Sequence, residues 1–142
     1  MFKDFDACIR DYPEVIQYLE PSHELFVKAI RANPHAIQFI KPTDELIDMA
    51  IDLDGTVLQY IDEPTVDMVK RAVKQDPSIL KDIAQTEDLC MDIVKENGLA
   101  LQYIHSQTLL ICLEAVKQNP KALDFVRNKY DKKLLSPLAR SN

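Results

Sequence analysis

Apolar residues return in matching groups of four along most of the chain. Leu25, Phe26, Ala29 and Ile30 are followed by Leu46, Ile47, Ala50 and Ile51, and then by Met68, Val69, Ala72 and Val73. Leu89, Cys90, Ile93 and Val94 repeat the pattern, as do Ile111, Cys112, Ala115 and Val116. Steps of 1, 4 and 5 residues, at about 100° per residue, gather each group on one stripe roughly 140° wide. Each group therefore predicts a short amphipathic helix, for which Asp44 to Leu53 is representative. A second group follows each first one: Ala36, Ile37, Phe39, Ile40, then Val57, Leu58, Tyr60, Ile61, and later copies at 100–104 and 122–126. It predicts a second, shorter helix, such as Thr56 to Ile61. Ser22, Thr43, Thr65, Thr86 and Thr108 precede the first stripes as N-caps, and acids such as Asp44, Glu45 and Asp67 occupy the first turns. Asn33, Asp54, Asp76, Asn97 and Asn119 stand before Pro or Gly, which ends one helix and opens the next.

Aligned on Pro13, Pro34, Gly55, Pro77, Gly98 and Pro120, the chain shows spacings of 21, 21, 22, 21 and 22 residues. The flanks match too: AIRANP, AIDLDG, AVKQDP, IVKENG and AVKQNP before the anchors, and EVIQYL, HAIQFI, TVLQYI, SILKDI, LALQYI and KALDFV at or after them. The expected fold is all-α, an α-solenoid of six tandem helical hairpins of 21–22 residues forming one repeat domain over 1–142. The units fall at about 1–21, 22–42, 43–64, 65–85, 86–107 and 108–130, with a C-terminal cap at 131–142. One hairpin cannot offset the entropy of ordering its own residues, about 1–2 kcal/mol each, so the units must stack. Leu25, Leu46, Met68, Leu89 and Ile111 should then be buried at equivalent places. Leu134, Leu135, Leu138 and Ala139 restate the first-helix spacing, with Pro137 inside it expected to bend or stop the helix.

Composition narrows the classes of function. The net charge of −6 and pI near 5.0 oppose general nucleic-acid binding. The charge is uneven: residues 1–67 carry a net −9 and residues 68–142 a net +3. No apolar run reaches the roughly 20 residues of a membrane span. The N-terminal sequence has acids where a secretion signal has bases, so a cytoplasmic location is expected. Cys8, Cys90 and Cys112 form no disulfide framework, and the last two share one repeat position, which reads as buried hydrophobe.

Candidate chemistry is sparse. His23, His35 and His105 make no metal-ligand spacing and read as exposed residues near helix ends. With two glycines there is no phosphate-cradling loop, and no nucleophile motif occurs. Asp44 with Asp48 and Asp48 with Asp52 pair at i,i+4, which reads as a solvated acidic face. No catalytic, cofactor-binding or metal-binding residue is assigned, and no enzyme activity is expected. The residues singled out for partner binding form a polar ladder on the second helices. Gln17, Gln38, Gln59 and Gln102 hold one position, with Lys81 and Asp124 in the other two copies. Asp82 breaks the neighbouring row of Tyr18, Phe39, Tyr60, Tyr103 and Phe125. Lys70, Arg71, Lys74 and Lys81 make a basic stretch after the acidic run Asp44 to Glu63.

The strings IVKENGLALQYI at 93–104 and AVKQNP–ALDFV at 115–126 resemble a short repeat of unknown function with an AVKQNG–ALQYV consensus, common in giant viruses and also met in bacteria and phages. The resemblance covers nearly the whole chain, is strongest over 86–126 and weakest over 1–20. It implies an all-helical repeat, brings no established activity, and suggests a viral or phage protein working in a host cytoplasm. The expected role is a non-enzymatic protein–protein interaction module that binds and modulates a host protein. The competing role is a nucleic-acid-binding helical repeat using the basic C-terminal half. Self-association is left open.

Overall fold

A computed structural model describes residues 4–140. Among them seven α-helices alternate with six 3-10 helices and there is no strand, so the fold is an all-α helical repeat. The chain forms two compact units, Met1–Asp76 and Pro77–Asn142. The first holds α1 (Phe5–Asp11), η1 (Pro13–Tyr18), α2 (His23–Ala32), η2 (Pro34–Phe39), α3 (Asp44–Leu53), η3 (Gly55–Tyr60) and α4 (Val66–Gln75). The second holds η4 (Pro77–Asp82), α5 (Glu87–Glu96), η5 (Gly98–Tyr103), α6 (Leu109–Gln118), η6 (Pro120–Phe125) and α7 (Lys129–Arg140). Within each unit α-helix packs on the next α-helix and 3-10 helix on the next 3-10 helix, giving two layers with the core between them.

The caps are those the sequence writes. Ser22, Thr43, Thr65, Thr86 and Thr108 accept the backbone N–H three residues on, at Leu25, Leu46, Met68, Leu89 and Ile111. Asn33, Asp54, Asn97 and Asn119 likewise accept from His35, Thr56, Leu99 and Lys121, opening the second helices. Leu46, Met68, Leu89 and Ile111 are buried as expected. Leu25 is only half-buried.

The second helices differ from the expectation of α geometry. All six are 3-10 helices of six residues. Three residues per turn, rather than 3.6, place Ala36 under Phe39 and Ile37 under Ile40 in two rows about 120° apart. Such a surface is too wide for one core-facing stripe. Ala36 and Ile37 are buried, while Phe39, Tyr60, Tyr103 and Phe125 sit half-out and Tyr18 is exposed. The aromatic members of the second-helix groups are thus only partly covered. Asp82, at the break in that row, is exposed and buries no charge.

Two further features depart from the pattern. Gly55 and Gly98 have no positive φ, so left-handed backbone is not what selects glycine there. Each lies against the next repeat's α-helix: a Cβ on Gly55 would stand 3.0 Å from Ala72 Cα, and one on Gly98 would overlap the Ala115 carbonyl oxygen. The freed Gly55 N–H donates to Gln75 Oε1 at 2.9 Å and that of Gly98 to Gln118 Oε1 at 2.6 Å. Where the anchor is proline no such donor exists, and the matching partners are Ala32, Leu53 and Glu96. At the other end, α7 is preceded by Asn128, whose side chain accepts from Tyr130 and Asp131 N–H. It continues through Pro137 to Arg140. Pro137 is exposed, and Ser136 donates its hydroxyl to Lys132 O.

Candidate interaction surface

The polar ladder is held by the 3-10 geometry. With a period of three, each ladder residue lies above the residue three before it. Gln38 Nε2 donates to His35 O, Gln59 Nε2 to Thr56 O and Gln102 Nε2 to Leu99 O, each at 3.1 Å. One amide hydrogen is spent on the helix, which fixes the side chain and leaves the second hydrogen and Oε1 outward. In the first unit Gln17, Gln38 and Gln59 are exposed beside Tyr18, Phe39 and Tyr60. An apolar cleft of about 190 Å³ opens beside this row, floored by Ile16, Phe26 and Ile40 and edged by Gln17 and Phe39. In the second unit Lys81, Asp82, Gln102 and Asp124 are all exposed.

The basic stretch is open only in part. Arg71 reaches back from α4 to α3, donating from Nη1 to Asp48 Oδ1 at 2.7 Å, from Nη2 to Asp48 O at 3.2 Å, and to Asp52 Oδ1. Asp67 Oδ2 stands 3.8 Å away. Hydrogen bonding to Asp52, and then to Asp48, outweighs desolvation and raises the guanidinium pKa above its ordinary value. The carboxylates that could be read as an acid–base pair are spent on this cation. Lys70 is half-buried and itself engaged, and Lys74 and Lys81 are exposed.

His35 is the residue the sequence reading missed. It is half-buried rather than exposed. Its Nε2 lies 3.0 Å from Asp54 Oδ2, its Nδ1 lies 3.0 Å from Tyr60 Oη, and its ring meets Tyr60 edge-on at 5.6 Å. Asp54 also accepts from Thr56 N–H at 3.0 Å and from its hydroxyl at 2.6 Å. Burial pushes the Asp54 carboxyl up, but the Thr56 and His35 bonds together hold it below its ordinary 3.8. The signal was available: His35 follows its anchor by one residue, and Asp54 and Tyr60 flank the next anchor at the matching face. His23 and His105 are exposed as expected.

The second unit carries a different network. Gln85 Nε2 donates to Leu80 O and Tyr103 O, and its Oε1 accepts from His105 N–H. Gln107 repeats this with Leu101 O, Phe125 O and Arg127 N–H. The Cys90 and Cys112 thiols donate to Gln85 and Gln107 Oε1 at 3.7 Å. Both cysteines are buried, and burial pushes both thiols up, Cys112 to about 11 with Asp131 adding to the rise. Neither is a thiolate at neutral pH, in keeping with a packing role.

Among the described residues no group of three or more His, Cys, Asp or Glu is placed to hold a metal ion. No helix among them is long and apolar enough to cross a membrane. A family model described as "Domain of unknown function (DUF4116)" matches residues 86–130, the fifth and sixth repeats. No curated protein matches the chain, and no solved structure does.

Proposed function

We propose that the chain is a non-enzymatic protein-binding module that reads partner polypeptide along its 3-10 layer. The observation that carries this reading is the repeated glutamine amide, pinned to its own helix and aimed outward beside a half-buried aromatic. A pinned amide pays little further rotamer entropy on binding. Its remaining hydrogen and oxygen match the N–H and C=O of an extended peptide backbone, while the aromatics and the cleft at Gln17 offer apolar contact. Lys81, Asp82 and Asp124 replace glutamine or aromatic in the second unit and would select charge in the partner. The extension to a viral or phage protein acting on a host protein in the host cytoplasm is supported by the family resemblance alone.

The test is selection of peptides from a random displayed library against the intact chain. Selected peptides should lose at least about tenfold in affinity to the Gln38→Ala/Gln59→Ala variant, the loss of two backbone hydrogen bonds. Peptides that bind that variant equally would overturn the ladder as the reading surface. A parallel titration with single-stranded nucleic acid across salt tests the competing role, since phosphate contacts give a steep salt dependence.

A further inference from the structure

Asp54, His35 and Tyr60 stand in series. Asp54 divides the use of its two oxygens: Oδ1 accepts both the Thr56 N–H and the Thr56 hydroxyl, and Oδ2 faces His35 Nε2 at 3.0 Å. The carboxyl is held below its ordinary 3.8 and is ionised at neutral pH, so the hydrogen between Oδ2 and Nε2 belongs to the imidazole. In the neutral ring Nδ1 then keeps its lone pair, and Tyr60 Oη lies 3.0 Å from it. The phenol thus donates to a ring nitrogen whose tautomer a carboxylate has fixed. Both distances fall inside the roughly 2.6–3.2 Å reach of a working base. A nucleophile on a base, with the base oriented by a third group, is the arrangement that activates a weak hydroxyl.

The repeat folds without this arrangement. In the fifth repeat Tyr103 takes the place of Tyr60 and is likewise half-buried. There Asn97 stands in the place of Asp54 and caps η5 by accepting from Leu99 N–H at 3.1 Å, and Ser78 stands in the place of His35. The same six-residue 3-10 helix forms with neither an imidazole nor a carboxylate in those positions. His35, Asp54 and Tyr60 are each partly exposed, so a small reagent reaches them from water.

We infer that Tyr60 is a nucleophile that takes an acyl group from an activated ester, with His35 as its base and Asp54 as a positioning residue. Tyr60 Oη attacks the ester carbonyl carbon while its proton passes to His35 Nδ1. The tetrahedral adduct collapses, the bond from carbon to the leaving oxygen breaks, and that oxygen takes the proton from Nδ1. The products are a tyrosine ester and an alcohol. One acyl group is taken per chain, so the site is a stoichiometric acceptor. Acyl transfer at Tyr60 needs no bound peptide and stands apart from the peptide binding proposed above.

Treatment of the full chain with p-nitrophenyl acetate tests this, with the acetylated residues mapped and timed by mass spectrometry and Tyr103 as the internal reference. Tyr60 should be acetylated at least about tenfold faster than Tyr103, since a positioned base contributes at least that much. Tyr60→Phe should remove one fast equivalent of p-nitrophenolate. His35→Gln should bring Tyr60 down to the rate of Tyr103 and leave Tyr103 unchanged. Asp54→Asn keeps an oxygen for Thr56 N–H, but its amide donates to Nε2 and moves the ring hydrogen to Nδ1. Nitrogen NMR of the His35 ring should show that move, and acetylation of Tyr60 should fall at least about tenfold. Thermal melts show whether the variants remain folded, and the comparison of Tyr60 with Tyr103 in the wild type needs no variant. Tyr60 reacting no faster than Tyr103 overturns the inference. So does a fast Tyr60 whose rate survives His35→Gln, which would assign its reactivity to exposure, or one whose rate survives the move of the ring hydrogen in Asp54→Asn.

Discussion

The segment leading into each α-helix differs between the two units. In the first it carries proline at Pro21, Pro42 and Pro64; in the second it carries glutamine at Gln85 and Gln107. Proline sets the backbone angle in advance and offers no donor, so the first unit's linkers are ordered by stiffness. Glutamine leaves the backbone free and ties three groups of two successive repeats together through its amide. The first unit recovers cross-repeat bonds elsewhere, partly with charge, Arg71 on Asp48 and Asp52, and partly with neutral amides, Asn33 on Arg10 O and Gln75 on Ile51 O. The second unit carries no such carboxylate pairing at Gln85 and Gln107 but uses neutral amides there, joined by the Arg127 guanidinium on His105 O and Ile104 O. One repeat can therefore be fastened by two chemistries, one sensitive to salt and acid and one not.

The largest expected effect compares the two close approaches. Gly98→Ala drives a methyl into the Ala115 carbonyl and pushes α6 from η5. It should cost more than about 3 kcal/mol, beyond ordinary overpacking. Gly55→Ala meets Ala72 Cα at 3.0 Å, a contact that a shift of a few tenths of an ångström relieves, and should cost about 1–2 kcal/mol. Urea unfolding measures both. Equal losses would show that the two joints are equally tight, and the distinction between them would fall.

Next come the amide fasteners. Gln85→Ala or Gln107→Ala strands two carbonyls in part-buried places, leaves an exposed backbone N–H to water, and should cost about 1–2 kcal/mol. Hydrogen exchange should place the loss in the second unit, with faster exchange at His105 or Arg127 N–H. Pro64→Ala in the first unit should cost less, about 0.4–1 kcal/mol through chain entropy, without a local exchange signature.

The fold was legible because its causes are local. An Asx residue before Pro or Gly, a hydroxyl before a stripe, and a period of 21–22 residues each act within a few positions of themselves. The 3-10 character of the second helices was not legible, since the same apolar spacing fits a period of 3.6 until burial shows Phe39 half-out. Nor were the joints. Gly55 and Gly98 read as helix breakers, whereas their role depends on how near Ala72 and Ala115 come. Arg71 read as part of an open basic patch, although Asp48 and Asp52, lying 23 and 19 residues earlier, are one repeat away and face it. Of the proposed surface, the glutamine register was visible in the chain, and the bond that pins it was not.

The salt-sensitive joint follows. Arg71→Met keeps much of the side-chain bulk and removes the charge. Asp48 and Asp52 are about half exposed, so water screens them, and the loss should be near 1 kcal/mol at low salt. It should shrink in concentrated salt, where the wild-type pairs are screened. Gln107→Ala should cost the same in both. A loss at Arg71 that does not change with salt would place its contribution in packing and in the bond to Asp48 O rather than in charge.

The smallest effect is the acid-sensitive cap. Asp54 is the second-helix cap of η3, where the matching caps in the second unit are Asn97 and Asn119. Its folded pKa lies below the ordinary 3.8 because the Thr56 and His35 bonds outweigh burial. A carboxyl depressed in the folded state adds stability that is fully present above its unfolded pKa. That stability is lost as pH falls through the folded value, when the unfolded chain binds a proton the folded chain resists. Asp54 is one-third exposed, so the contribution should be below about 1 kcal/mol. Asp54→Asn keeps a cap oxygen for Thr56 N–H and removes the titration. The stability gap between wild type and Asp54→Asn should therefore be present at pH 6 and close as pH falls below about 3.8. A gap that stays constant from pH 6 to pH 3 would assign the Asp54 contribution to hydrogen-bond geometry rather than charge, and would leave Arg71 as the first unit's one tested electrostatic joint.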